Sequence, residues 1–178
     1  MSNAIKILPH YTYDDYEKWE GKWEVIDGVP YAMSPLPVPK HQIIAGNLHA
    51  EFRLQLKKCS TCKAYQPIDY LVQEDTILQP DMLVVCREIT KKYLDFPPAL
   101  VAEILSPSTA PKDRFYKYNI YQSQGIGYYL IIDPDLWDVE VYELIDGQYK
   151  MTARGKDIKY DFTLSTCPIS IDFKEIWQ

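Results

Sequence analysis

Gln79-Pro80-Asp81-Met82-Leu83-Val84-Val85 and Ala99-Leu100-Val101-Ala102-Glu103-Ile104-Leu105 decide how this chain folds. Each is an apolar run with the length and β-branched content of a buried strand, and each carries one acid. A carboxylate in such a strand is costly to desolvate unless it is paired, hydrogen-bonded or bound to a cation. Two of them on successive strands suggest a site for a hard, oxygen-seeking metal such as Mg²⁺. The plainer alternative is a pair of partly exposed acids near strand ends.

Outward from these strands, the pattern alternates between sheet and helix. Thr12 to Trp19 reads as a short helix capped by Thr12. Trp23–Ile26 and Val29–Met33 read as a hairpin around Asp27-Gly28, and the prolines between Ser34 and Lys40 as a loop. His41 to Lys58 is the strongest helix, with Ile44, Leu48, Phe52 and Leu56 on one stripe. Ala64 to Gln73 predicts a strand or bent strand pair, and Leu78–Cys86 and Ala99–Leu105 are the two apolar strands. Ser106-Pro107-Ser108-Thr109 caps a helix running to about Gln124, stopped by Gly125 and Gly127. Gly127–Asp133 is a buried strand, and Trp137–Leu144 with Gln148–Thr152 a terminal hairpin across Asp146-Gly147. The expected architecture is an α/β domain with a mixed sheet.

The 178 residues suit one domain with a sizeable core, spanning residues 1–178. A hydrophobic content of 47% and a charged content of 25% are ordinary for a globular protein, and the net charge of −6 excludes a uniformly basic nucleic-acid binder. The charge is uneven. Asp14 to Asp27 carries a net −4, whereas His41 to Lys63 carries +3 and Thr109 to Tyr118 carries +2. The start lacks a signal peptide and no stretch approaches the ~20 apolar residues that span a bilayer, so a cytoplasmic protein with no membrane association is expected. Of the four cysteines, Cys59 and Cys62 have Cys-x-x-Cys spacing while Cys86 and Cys167 stand alone. A structural zinc site wants four ligands, so ordinary reduced cysteines are expected.

The order αβββαβ, with Asp on the second of three strands and Glu on the third, resembles the PD-(D/E)XK nuclease superfamily. Within it the chain is similar to the Uma-two family, a large bacterial group of restriction-endonuclease-like proteins. The matching words are Trp23 to Gly28, Met33-Ser34-Pro35, His41, Gln79-Pro80-Asp81, Val101 to Thr109, Asp113 to Tyr121 and Asp133-Pro134. The string Glu103-Ile104-Leu105-Ser106-Pro107-Ser108-Thr109 at this distance after Pro80-Asp81 is the most specific of them.

The resemblance implies a restriction-endonuclease-like αβββαβ core flanked by N- and C-terminal hairpins, and a Mg²⁺-dependent endonuclease acting on DNA, with Mn²⁺ able to substitute. It implies a metal held by Asp81, Glu103 and the carbonyl of Ile104, with Glu24 as a further ligand, directly or through water. The superfamily usually carries Lys two positions after the Glu, where this chain has Leu105. The resemblance implies that the lysine has moved to the following helix, where Lys117 joins Asp81 and Glu103 as a catalytic residue. Lys112 and Arg114 are the substitutes, and a surface pair between Asp113 and Lys117 is the plain alternative. His41 is read as structural or substrate-positioning. The tyrosines Tyr116, Tyr118, Tyr121, Tyr128 and Tyr129 are read as core or dimer surface.

A homodimer is expected, because cutting both strands of a duplex needs two sites related by two-fold symmetry. The missing Lys at Leu105 and the acidic net charge leave a second reading: a nuclease-like module, weak or inactive, that binds nucleic acid or a protein partner.

Overall fold

The computed structural model describes residues 9–33 and 38–178. Ser34 to Pro37, part of the expected loop, lie outside the described residues.

A single helical turn, α1 (Tyr13–Tyr16), is the first element among the described residues, where the sequence predicts a helix from Thr12 to Trp19. The Asp15 carboxylate accepts from the Thr12 N–H at 3.1 Å and from the Thr12 hydroxyl at 3.3 Å. β1 (Trp23–Ile26) and β2 (Val29–Ala32) then pair as the expected hairpin. Asp27 at φ 49° and Gly28 at φ 75° give that turn the left-handed pair a two-residue hairpin requires. α2 (Pro39–Leu56) begins with a proline in its first turn, two residues before the expected His41. Its buried stripe is Ile44, Leu48, Phe52 and Leu56, headed one turn earlier by His41.

β3 (Lys63–Tyr65), β4 (Tyr70–Gln73), β5 (Thr76–Leu78), β6 (Met82–Val85) and β7 (Leu100–Ile104) follow. The expected single strand Leu78–Cys86 is in fact two. Leu78 ends β5 in one sheet, and Met82 begins β6 in another. Pro80, with no N–H and a fixed φ, breaks the ladder between them and lets the chain change sheets. The expected helix after Thr109 is a π-helical turn at Lys112–Lys117 continued by α3 (Tyr118–Ser123).

β8 (Tyr128–Asp133), β9 (Asp138–Ile145) and β10 (Gln148–Gly155) complete the expected C-terminal strands. A further hairpin, β11 (Lys159–Leu164) and β12 (Cys167–Asp172), and a 3₁₀ segment at Phe173–Trp177 lie beyond them and were not foreseen. Their alternation is clear, with Phe162, Leu164, Ile169, Ile171 and Phe173 buried. The turn hid them, because it uses Ser165 at φ 56° and no Gly or Asn.

The central sheet has six strands in the order β10-β9-β8-β7-β6-β3, mixed because β7 and β8 are parallel while the other pairs are antiparallel. A second sheet has the order β2-β1-β5-β4. Alternation along β7 sends Leu100, Ala102 and Ile104 to a core shared with α2 and the β11–β12 hairpin. Val101 and Leu105 go to the other face, against Ile26, Leu78, Tyr121 and Tyr129. Glu103, between them, projects on that second face.

The cysteines depart from expectation. Cys86 and Cys167 are not solitary: Cys59 pairs with Cys167 and Cys62 with Cys86, in one cluster where the end of α2, the end of β6 and the β11–β12 turn meet.

Candidate active site

The antiparallel register of β6 and β7 sets Met82 opposite Ala102, so one step outward Asp81 stands opposite Glu103. The break at Pro80 places Asp81 at the mouth of the sheet, and its Oδ2 accepts from the Ile104 N–H at 2.8 Å. Both acids belong to the face that carries Leu83, Val101 and Leu105. The opposite ends of this constellation differ in access: Glu103 is 3% exposed and the Asp81 side chain 17%.

Over this face lies the π-helical turn, and it delivers Lys117. The buried ammonium lies 2.9 Å from Glu103 Oε1, 2.7 Å from Glu24 Oε1 and 3.3 Å from Asp113 Oδ1. A π-helix closes its hydrogen bonds from i to i+5. Residues five apart, which an α-helix would point about 140° apart, are therefore swung toward the same side. Lys112 comes onto the same side as Lys117 and pairs with Glu24 Oε2. Glu24 is fully buried on β1, with the Gln79 N–H donating to Oε1 at 3.0 Å. Both of its oxygens are thus occupied by donors of the chain. Direct coordination by Glu24 would require Lys112 to leave.

Two further groups close the site. The Tyr121 hydroxyl donates to Glu103 Oε1 at 2.7 Å. His41 Nε2 lies 3.3 Å from Asp81 Oδ2 and 3.1 Å from the carbonyl oxygen of Ile104, while its buried Nδ1 has no hydrogen-bond partner among the described residues. The imidazole therefore rests on two of the oxygens expected to hold a metal. Of the substitutes for Lys117, Lys112 joins the site. Arg114 does not: it turns to Glu140 on β9 at 2.9 and 3.1 Å.

Four carboxylates (Glu24, Asp81, Glu103 and Asp113) face two ammoniums, those of Lys112 and Lys117. Desolvation would raise Glu24, but Lys117 and Lys112 outweigh it and hold its carboxyl below the usual range. Burial acts to lower the Lys117 ammonium's pKa, yet Glu103, Glu24 and Asp113 outweigh it and keep the group charged. The deficit falls on Glu103, which burial pushes well above the usual carboxylate range against the pull of Lys117. Burial likewise raises Asp113. For His41, burial lowers and the Asp81 carboxylate and Ile104 carbonyl raise, with a net rise. A surplus of buried carboxyl groups over cations, beside hard oxygens, is the setting in which a divalent cation fits.

Tyr121 and the buried Asp113 are the members that sequence reasoning assigned to the core and the surface. The spacing of four between Asp113 and Lys117 was visible, but their burial was not. His41 stood out as a helix start, and its place on the α2 stripe was the available clue to its direction.

A mixed six-stranded sheet, with opposed Asp and Glu on neighbouring strands and a lysine delivered by the next helix, defines a restriction-endonuclease-like protein. The chain belongs to the Uma2 family, described as "Putative restriction endonuclease", whose sequence model matches residues 13–158. It is 29% identical over 148 residues to the uncharacterized protein slr1290 of Synechocystis sp. (strain ATCC 27184 / PCC 6803 / Kazusa), covering 78% of this chain and 77% of the relative. A second protein of that strain, the uncharacterized sll1609, is 28% identical over 103 residues, covering 53% of this chain and 57% of its own. A crystal structure titled a putative nuclease belonging to DUF820, from Anabaena variabilis ATCC 29413, superposes with a TM-score of 0.74. It shares 20% identity, covering 94% of this chain and 97% of that one, and so carries the fold.

Proposed function

We propose that this nuclease-like protein is a Mg²⁺-dependent endonuclease that hydrolyses phosphodiester bonds in DNA. The observation that carries the proposal is the meeting of Asp81, Glu103 and the Ile104 carbonyl at one sheet end, with more buried carboxylates than cations around them. Asp81, Glu103 and the Ile104 carbonyl are the oxygens that would hold the metal, and His41 competes for two of them. The chemistry a divalent cation would supply there is polarisation of a phosphodiester oxygen and a lowered pKa for the water that, once deprotonated by solvent, acts as nucleophile.

The chain's own residues do the rest. Lys117 keeps its proton among three carboxylates, so it serves as a fixed positive charge toward the developing phosphorane and not as a base. Tyr121 and Lys117 both bond Glu103 Oε1, which fixes that carboxylate and leaves its other oxygen for a ligand. Glu24 anchors Lys112 and Lys117 side by side. Lys112, its side chain 12% exposed, is the cation nearer the surface and would meet a substrate phosphate. The proposal includes a cytoplasmic homodimer, since two symmetric sites cut both strands of a duplex. No helix among the described residues is long and apolar enough to cross a membrane.

The test is incubation of supercoiled plasmid with purified protein and Mn²⁺ or Mg²⁺, with Glu103→Gln as control. Nicking by the parent and none by the variant is the expected result. Plasmid retained on the protein but uncut under all conditions would favour the non-catalytic module.

A further inference from the structure

We propose that Cys59, Cys62, Cys86 and Cys167 form a tetrahedral thiolate site for one Zn²⁺, separate from the proposed nuclease centre. Four cysteines from three distant parts of the sequence converge, and they are all the cysteines the chain has. The sulfurs of Cys59, Cys62 and Cys167 all lie within 4.8 Å of one another. Cys86 joins them through Cys62, and both of those sulfurs approach the Leu164 carbonyl, at 3.9 and 3.5 Å. Four sulfurs each about 2.3 Å from a common centre stand a little under 4 Å apart, inside that 4.8 Å limit, so the cluster needs only a small opening of its two close pairs to hold a ZnS₄ unit. Two pairs drawn this close also satisfy disulfides, and geometry at the backbone separates the readings. The Cα atoms of Cys62 and Cys86 are 3.8 Å apart, closer than the ~4.4–6.8 Å that disulfides usually span, while those of Cys59 and Cys167, at 5.9 Å, fit either reading.

The surroundings fit thiolates. The Cys62 N–H donates to Cys59 Sγ at 3.4 Å, inside the Cys-x-x-Cys turn. The Thr61 hydroxyl sits 3.4 Å from Cys167 Sγ and 3.5 Å from Cys59 Sγ. Donors aimed at sulfur stabilise coordinated thiolates and fix their direction. Lys57, Lys58, Lys63 and Arg87, next or nearly next to the cysteines in sequence and all exposed, offset the net −2 of a zinc tetrathiolate. Soft sulfur donors in a tetrahedral set select Zn²⁺ over Mg²⁺. The site is also remote from the carboxylates: Asp81 precedes β6 and Cys86 follows it, about 16 Å apart along an extended strand. It would staple the β11–β12 turn to the end of α2 and the far end of β6.

Protein purified under reducing conditions, without chelator or a polyhistidine tag, tests this by elemental analysis and cobalt substitution. About one zinc per chain is expected, with the visible d–d and thiolate charge-transfer bands of tetrahedral Co²⁺ after exchange. Asp81→Ala should retain both signatures, while Cys86→Ser and Cys167→Ser should lose them. Should the serine variants fail to fold, the zinc content and Co²⁺ spectrum of the parent decide. Reduced protein with four titratable thiols that takes up neither metal would overturn the proposal. So would protein isolated under those conditions with Cys59–Cys167 and Cys62–Cys86 mapped as disulfides by mass spectrometry.

Discussion

Lys117 is enclosed by Glu24, Glu103 and Asp113, and that environment gives it two separable jobs. As the buried cation among them it balances charge, so Lys117→Ala should destabilise the fold by about 3–5 kcal/mol, read by denaturant unfolding. As a fixed charge at the reacting phosphate it should also contribute about 10²–10³ in cleavage rate while leaving Mn²⁺ binding in place. Leu105, on the same strand face as Glu103, is where a lysine would stand in the usual superfamily pattern. The double variant Lys117→Ala/Leu105→Lys should recover part of both losses, limited by overpacking in an apolar site. Full plasmid cleavage by Lys117→Ala would remove it from the chemistry and leave Lys112 as the cation. For His41 the geometry makes the imidazole a placeholder on Asp81 and Ile104. His41→Ala should therefore bind Mn²⁺ as tightly as the parent or more tightly by calorimetry, and loss of binding would make His41 a ligand instead.

At the scale of elements, the π-helical turn is what sequence periodicity could not foresee. A helix was legible from Thr109 to Gln124, but nothing in Lys112-Asp113-Arg114-Phe115-Tyr116-Lys117 announces i to i+5 closure. That is why Lys112 and Lys117 read as alternatives when the fold uses both. Deleting the exposed Tyr116 would put the two lysines four apart, which an α-helix also places on one face. The deletion variant should fold, melt near the parent and keep cleavage. Collapse of its thermal stability would show that the π-turn is required for packing and not only for aim. The strand break at Pro80 was visible as a proline, yet the apolar run on both sides argued for continuity. Apolar continuity records burial, and burial is shared by two different sheets. Asp81 and Glu103 were legible for the same reason: an acid in a run of core residues stands out, whereas Asp113, in a charged stretch, does not.

Across the whole molecule, the six-stranded sheet separates two cores with different duties. One face buries Phe52 of α2 against Phe162 of the C-terminal hairpin, with ring centroids 5.7 Å apart. Phe52→Ala should cost about 3–5 kcal/mol in unfolding free energy without altering metal affinity, because it lies across the sheet from the carboxylates. The other face spends apolar packing around a buried polar cluster, a recurring mark of functional sites. A divalent cation at Asp81 and Glu103 would relieve its surplus of acid groups, and a calorimetric titration of Mn²⁺ into the parent, Asp81→Ala and Glu103→Ala measures that binding. The parent should bind and gain thermal stability with rising Mn²⁺, by linkage to the folded state. Each variant should remain folded and show no heat of binding at that site. A variant that binds Mn²⁺ as tightly as the parent, or a parent that binds none, would contradict the assignment of Asp81 and Glu103 as a metal centre.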